Sequence, residues 1–105
     1  MSRAHGQPKE RALAAWTRLT RHDPTEWRSA WNRSVFVGAF GLRGDRAYYG
    51  YQWQQIVFVV RYTPEHQHRQ RKPGLHMEWI IEDVWALAHW MRAVARYDTA
   101  GRESR

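Results

Sequence analysis

The 105-residue chain contains no cysteine. A disulfide framework and a thiolate metal site are therefore excluded, and the core must rest on burial alone. No apolar run reaches the roughly 18 to 20 residues of a membrane-spanning helix. The opening stretch MSRAHGQPKERA has no apolar segment of a secretory signal, so the expected compartment is the cytoplasm, with no membrane partner. There is no glycine-rich phosphate loop, serine-centred elbow or Walker pattern. Gly38, Gly41, Gly44 and Gly50 do not form a dinucleotide fingerprint. Lysine is scarce, with only Lys9 and Lys72, so nearly all the positive charge is arginine.

Hydrophobic residues make up 43% and charged residues 26% of the chain, the balance of a folded globular protein. The length fits one domain spanning residues 1–105. Lys and Arg number 17 against 10 Asp and Glu, for a formal charge of +7. That excess attracts nucleic acid, an anionic surface or an acidic protein at long range. Arginine suits planar contact with phosphate, although a G+C-rich genome also enriches it.

Residues 1–7 and 99–105 are polar and are expected to be disordered tails. Pro8 suits the first turn of a helix running to about Arg21. Its apolar stripe is Ala12, Leu13, Trp16 and Leu19, with Arg11 and Arg18 on the opposite side. HDPTEW reads as a fresh helix start capped by Asp23, and the helix continues to about Asn32 with Trp27, Ala30 and Trp31 inward. SVFVGAF, Ser34 to Phe40, is a strand, and GLRGD is a turn. Arg46 to Thr63 reads as two strands broken near Gln52 to Gln55. Ile56 to Val60 is continuously apolar, as in a central strand covered on both sides. A polar loop, HQHRQRKPG from His66 to Gly74, follows Pro64.

Leu75 to about Tyr97 has the periodicity of one long helix, with Met77, Ile80, Ile81, Val84, Leu87, Ala88, Met91 and Val94 in its core stripe. Trp79, Ala86, Trp90, Ala93 and Tyr97 fall on nearly the opposite side, which predicts an interface with a second copy or a partner protein. The expected fold is α+β: two N-terminal helices, a small antiparallel sheet of two to three strands, and the long helix packed on it.

Two features point to nucleic acid. Arg61, His66, His68, Arg69, Arg71 and Lys72 concentrate positive charge in and beside one loop, and Arg11 and Arg18 add to it. Tyr49, Tyr51 and Trp53 alternate along one strand, where they are either a base-stacking surface or ordinary core. His66 and His68 would need a third ligand to hold a metal, and the surrounding cations oppose one. No metal or cofactor is expected. Glu78, Glu82 and His89 share the polar strip of the predicted helix, but their spacing is too wide for an acid–base pair, and their charges suit the helix dipole. No catalytic residue is assigned.

The stretch LRGDRAYYGYQWQQIVFVV resembles the central strands of RelE-like toxins, small basic endonucleases that cut mRNA on the ribosome. The resemblance covers about twenty residues. It implies two helices ahead of antiparallel strands, with basic residues and a Tyr or His acting on RNA. It also implies an opening strand, where this chain is expected to begin with a helix.

The leading expectation is a small basic, non-enzymatic nucleic-acid-binding protein, dimeric through its last helix. The second is a protein–protein interaction module, an assembly subunit or a phage- or plasmid-encoded inhibitor, presenting the Trp79 and Trp90 face to an acidic partner.

Overall fold

A computed structural model describes residues 6–41, 47–62 and 79–103, with Gly6, Tyr62, Trp79 and residues 98–103 described by backbone alone. The chain runs β1 (Gly6–Pro8), α1 (Glu10–Thr20), a 3₁₀ turn (Pro24–Glu26), α2 (Trp27–Arg33), β2 (Val35–Gly41), β3 (Ala47–Trp53), β4 (Ile56–Tyr62), β5 (Trp79–Ala86) and α3 (Leu87–Glu103). The strands form one sheet in the order β1-β5-β4-β3-β2. β1 runs parallel to β5, and every other pairing is antiparallel.

The class is α+β, but the expected sheet of two to three antiparallel strands is overturned by a mixed sheet of five. Both additional strands lie where the sequence predicts none. β1 takes its residues from the expected disordered tail, and Pro8 ends this strand rather than starting α1. β5 occupies residues 79–86 of the expected long helix, which therefore begins at Leu87 and continues to Glu103, into the expected C-terminal tail. The physical reason is burial on both faces. Ile81 and Val84 face α1 and α2, while Trp85 packs beneath α3. A doubly covered strand is apolar all round, as a buried helix is, and periodicity alone does not separate them.

α1 and α2 cover one face of the sheet. Ala12, Ala15, Trp16, Ala30 and Trp31 pack there on Ile56, Phe58, Val60, Ile81 and Val84. The Trp16 and Trp31 rings flank Phe58 at 5.9 and 5.5 Å. Asp23 starts the second helical segment, its carboxylate accepting the Thr25 amide at 2.8 Å. Tyr49, Tyr51 and Trp53 pack half-buried against this same core.

α3 covers the other face. The Leu87 amide donates to the Gln55 carbonyl at 2.8 Å and pins the helix start beside the β3–β4 turn. From there α3 crosses the sheet, with Trp90 over Gly50 and Tyr97 over Phe40. A Cβ on Gly50 would overlap the Trp90 ring, so glycine is what lets the indole settle on the strand. Val57 and Val59 complete this second core, which makes Ile56–Val60 buried on both sides as the sequence suggests.

Candidate functional site

At one end of the sheet, cross-strand pairing sets Phe40 beside Tyr48 and Tyr48 beside Arg61. Because Phe40 and Val59 belong to the core under α3, this row lies on the α3 face. Tyr97 stacks on Phe40 with centroids 4.7 Å apart and planes at 9°. Trp85 lies 6.2 Å from Phe40. Phe40, Tyr48, Trp85 and Tyr97 line a cleft of about 280 Å³ together with Arg11, Val59, Glu82 and Asp83.

Glu82 organises the charges at the cleft. Val59 pairs with Asp83 and Val60 with Ile81, so Glu82 is the extra residue of a β-bulge, a device that re-aims a side chain. Its side chain is only 4% exposed and meets three cations. Lys9 Nζ lies 2.8 Å and Arg11 Nη2 2.9 Å from Oε2, and Arg61 Nε lies 3.0 Å from Oε1. The Arg61 contact has ion-pair distance without hydrogen-bond alignment. Burial pushes the Glu82 carboxyl up. The hydrogen bond from Lys9 and the charges of Arg61, Lys9 and Arg11 more than reverse this, leaving it below its ordinary value.

Arg11 is held twice, since Nε also donates to the Glu82 carbonyl at 2.8 Å. Its side chain is still 63% exposed, and among the described residues Nη1 donates to nothing. Asp83 is occupied: its carboxylate accepts the Val84 amide at 2.8 Å and the Trp85 indole N–H at 3.2 Å. Among the described residues, Lys9, Arg11 and Arg61 against Glu82 and Asp83 leave one net positive charge at the cleft. An oriented guanidinium with a free edge, beside aromatic rings, can take one anionic oxygen together with a planar group.

Of the residues expected to bind nucleic acid, Arg11 and Arg61 converge on this site, while Arg18 is exposed in the last turn of α1 and does not line it. His66, His68, Arg69, Arg71 and Lys72 lie outside the described residues. The chain leaves the sheet at Tyr62 and re-enters at Trp79, which are register partners at the Arg61 end.

The expected interface row does not exist as a helix face. Trp79 and Ala86 sit at opposite ends of β5, and the side chain of Trp79 is not among those described. Trp90 is 2% exposed, packed on Phe40 and Gly50. Ala93 and Tyr97 are half-buried against the same core. Glu82 and His89 likewise share no helix strip: Glu82 is in β5, and the His89 ring meets Trp85 edge-on at 4.5 Å. Glu78 lies outside the described residues.

Sequence reasoning missed Lys9, Tyr48 and the central role of Glu82. Glu82 carried a signal, as one of two adjacent acids, with Asp83, inside the otherwise apolar run WIIEDVW. A smaller cleft of about 160 Å³ lies on the α1–α2 side, lined by Trp16, His22, Glu26, Arg33 and Trp53. There His22 Nδ1 is 3.1 Å from Glu26 Oε2. No family model, curated protein or solved structure matches this chain.

Proposed function

We propose that this protein binds nucleic acid without turning it over, using the cleft under α3 together with the basic segment at residues 66–72. The observation that carries the reading is Arg11. It is fixed by two hydrogen bonds to Glu82 while its side chain stays 63% exposed, among the described residues its Nη1 donates to nothing, and it lines the same cleft as Tyr48, Trp85 and Tyr97. A guanidinium oriented in advance loses less freedom on meeting a phosphate, and the rings offer sequence-tolerant stacking for an unpaired base. The net charge of +7 supplies long-range attraction. The strand ends that flank residues 63–78 in sequence, Tyr62 and Trp79, are register partners at the Arg61 end of the sheet.

The test replaces Arg69, Arg71 and Lys72 together by Gln and titrates binding of a labelled oligonucleotide against salt. The expected result is weaker binding with a shallower log–log slope, by about 0.7 for each single-strand phosphate that the variant no longer neutralises. Affinity unchanged at every salt concentration would remove this segment from the proposal.

A second reading is favoured by β1. The resemblance to RelE-like toxins implies an opening strand ahead of two helices and antiparallel strands, and Gly6–Pro8 is such a strand. Arg11, Tyr48 and Tyr97 would then face RNA as reacting groups rather than as a binding surface. Incubating the protein with mRNA in a translating extract separates the two readings. Shortened transcripts favour the endonuclease, and intact, retained transcripts favour binding alone.

A further inference from the structure

We propose that Asp83 makes the cleft selective for an unpaired guanine, its carboxylate accepting the two adjacent N–H groups of that base's Watson–Crick edge. The proposal rests on the nucleic-acid reading and adds to it the base that is preferred.

The sheet sets Asp83 among the rings that would hold a base. Asp83 pairs across the strands with Val59, which is buried under α3, and Trp85 follows two residues on along the same face. Asp83 therefore lines the cleft with Trp85, Tyr48 and Tyr97 rather than facing α1 and α2. It is half-buried. One of its oxygens accepts the Val84 amide at 2.8 Å and the other accepts the Trp85 indole N–H at 3.2 Å. The Trp85 ring is held in turn, by His89 edge-on at 4.5 Å and by Phe40 stacked at 6.2 Å. The carboxylate thus stands at the rim of a ring whose orientation is set in advance.

The neighbouring acid is differently engaged. Glu82 is 4% exposed and is taken up by Lys9, Arg11 and Arg61. Asp83 meets no cation among the described residues. A carboxylate offers about four lone-pair positions. With one bond on each Asp83 oxygen, each keeps a position open among the described residues. Two acceptors side by side match two donors side by side. Of the common bases only guanine carries adjacent N–H donors on that edge, at N1 and the exocyclic N2. Adenine and cytosine set a donor next to an acceptor nitrogen. Uracil and thymine flank their single N–H with carbonyls, which a carboxylate repels.

Charge argues in the same direction. An acid in a cleft that takes a phosphate weakens the phosphate contact, so Asp83 favours binding only through a base that donates to it. Arg11, in the same cleft, meets the phosphate. The rings hold any base, and Asp83 selects among them.

The experiment titrates labelled oligouridine strands, each with one central guanine, adenine, cytosine or inosine, with wild type and Asp83→Asn. Wild type is expected to bind the guanine strand about tenfold or more tighter than the adenine strand. Inosine, which lacks the N2 amino group, should fall between them. The Asn variant should lose the guanine preference and bind the other strands more tightly, because a negative charge has left the cleft. A role confined to holding Trp85 would weaken all strands alike, and that result overturns the proposal. Near-ultraviolet circular dichroism checks that the variant folds. Should it not fold, wild type and a strand carrying 1-methylguanine replace it. The methyl group removes the N1–H, and an undiminished preference for that base would equally overturn the proposal. Guanosine monophosphate as competitor separates the sources of the base. Displacement as effective as that by the guanine strand assigns a free nucleotide, weaker displacement assigns the strand, and both keep guanine. Wild type that binds all strands alike overturns the selectivity and leaves the nucleic-acid reading standing. Wild type that binds none of the strands and no nucleotide overturns both.

Discussion

The two faces of the sheet are built from similar aromatic residues and put to different use. Beneath α1 and α2, Trp16, Trp31 and Phe58 are almost entirely enclosed among aliphatic neighbours. Beneath α3, the core of Val57, Val59, Phe40 and Trp90 gives way toward one end of the sheet to Tyr48, Arg61, Tyr97 and the ionic cluster at Glu82. The first face is enclosed apart from the smaller cleft at Trp16, His22 and Trp53, and its core side chains contribute mainly through burial. The second face closes at the α3 start and stays open where Arg11 reaches the cleft. Aromatic content does not separate the stabilising face from the proposed binding face. What separates them is whether a buried charge and an exposed charge stand beside the rings.

The contrast is broken most severely on the closed face. Phe58→Ala should cost about 3 to 5 kcal/mol in denaturant unfolding, because it removes a ring held between Trp16 and Trp31. A loss below about 1 kcal/mol would mean that this face repacks freely and is not the stabilising one.

At the boundary of the open face, Glu82→Gln should cost about 3 kcal/mol. It strands Arg61, whose side chain is 19% exposed, while Lys9 and Arg11 can turn to water. The same carboxylate predicts a pH response. Its folded value lies below its ordinary 4.5, so its contribution is present above that value and is lost as pH falls through the lower, folded one. Acid unfolding of the wild type should steepen below pH 4.5, and the Gln variant should be flatter there. Identical acid transitions would detach Glu82 from stability.

Smaller still is Gly50→Ala, expected to cost about 1 to 3 kcal/mol by pushing Trp90 off the strand. Its signature is a change in near-ultraviolet circular dichroism from the indole. The same signal unchanged, with full stability, would contradict the packing under α3.

How far the sequence could be read follows from the same contrast. The β3–β4 hairpin is legible because the polar pair Gln54–Gln55 breaks two apolar runs, and Gln54 takes the positive φ of 53° that the turn needs. Asp23 and Pro24 mark the second helical segment by capping chemistry. β5 is not legible, because it passes from Ala86 into Leu87 of α3 without glycine or proline. The helical period of α3 then extends backward over a strand buried on both faces. β1 is three residues whose placement depends on β5, so losing one conceals the other. The basic character of Arg11 and Arg61 can be read from composition. Their convergence on Glu82 requires the bulge in β5, and no local pattern announces it.

The smallest stability effect and the most direct test of function meet at Arg11. The Arg11 side chain is 63% exposed, and Lys9 and Arg61 remain beside the buried Glu82 carboxylate without it, so Arg11→Gln and Arg11→Lys should each change stability by about 1 kcal/mol or less. Binding of a labelled single-stranded oligonucleotide is then titrated against salt for wild type and both variants. Gln should weaken binding and lower the log–log slope by about 0.7, the value of one phosphate. Lys should keep the slope but bind less tightly, because it retains the charge without the oriented fork. Equal affinity and slope in all three proteins would contradict the assignment of the α3 cleft as the nucleic-acid site.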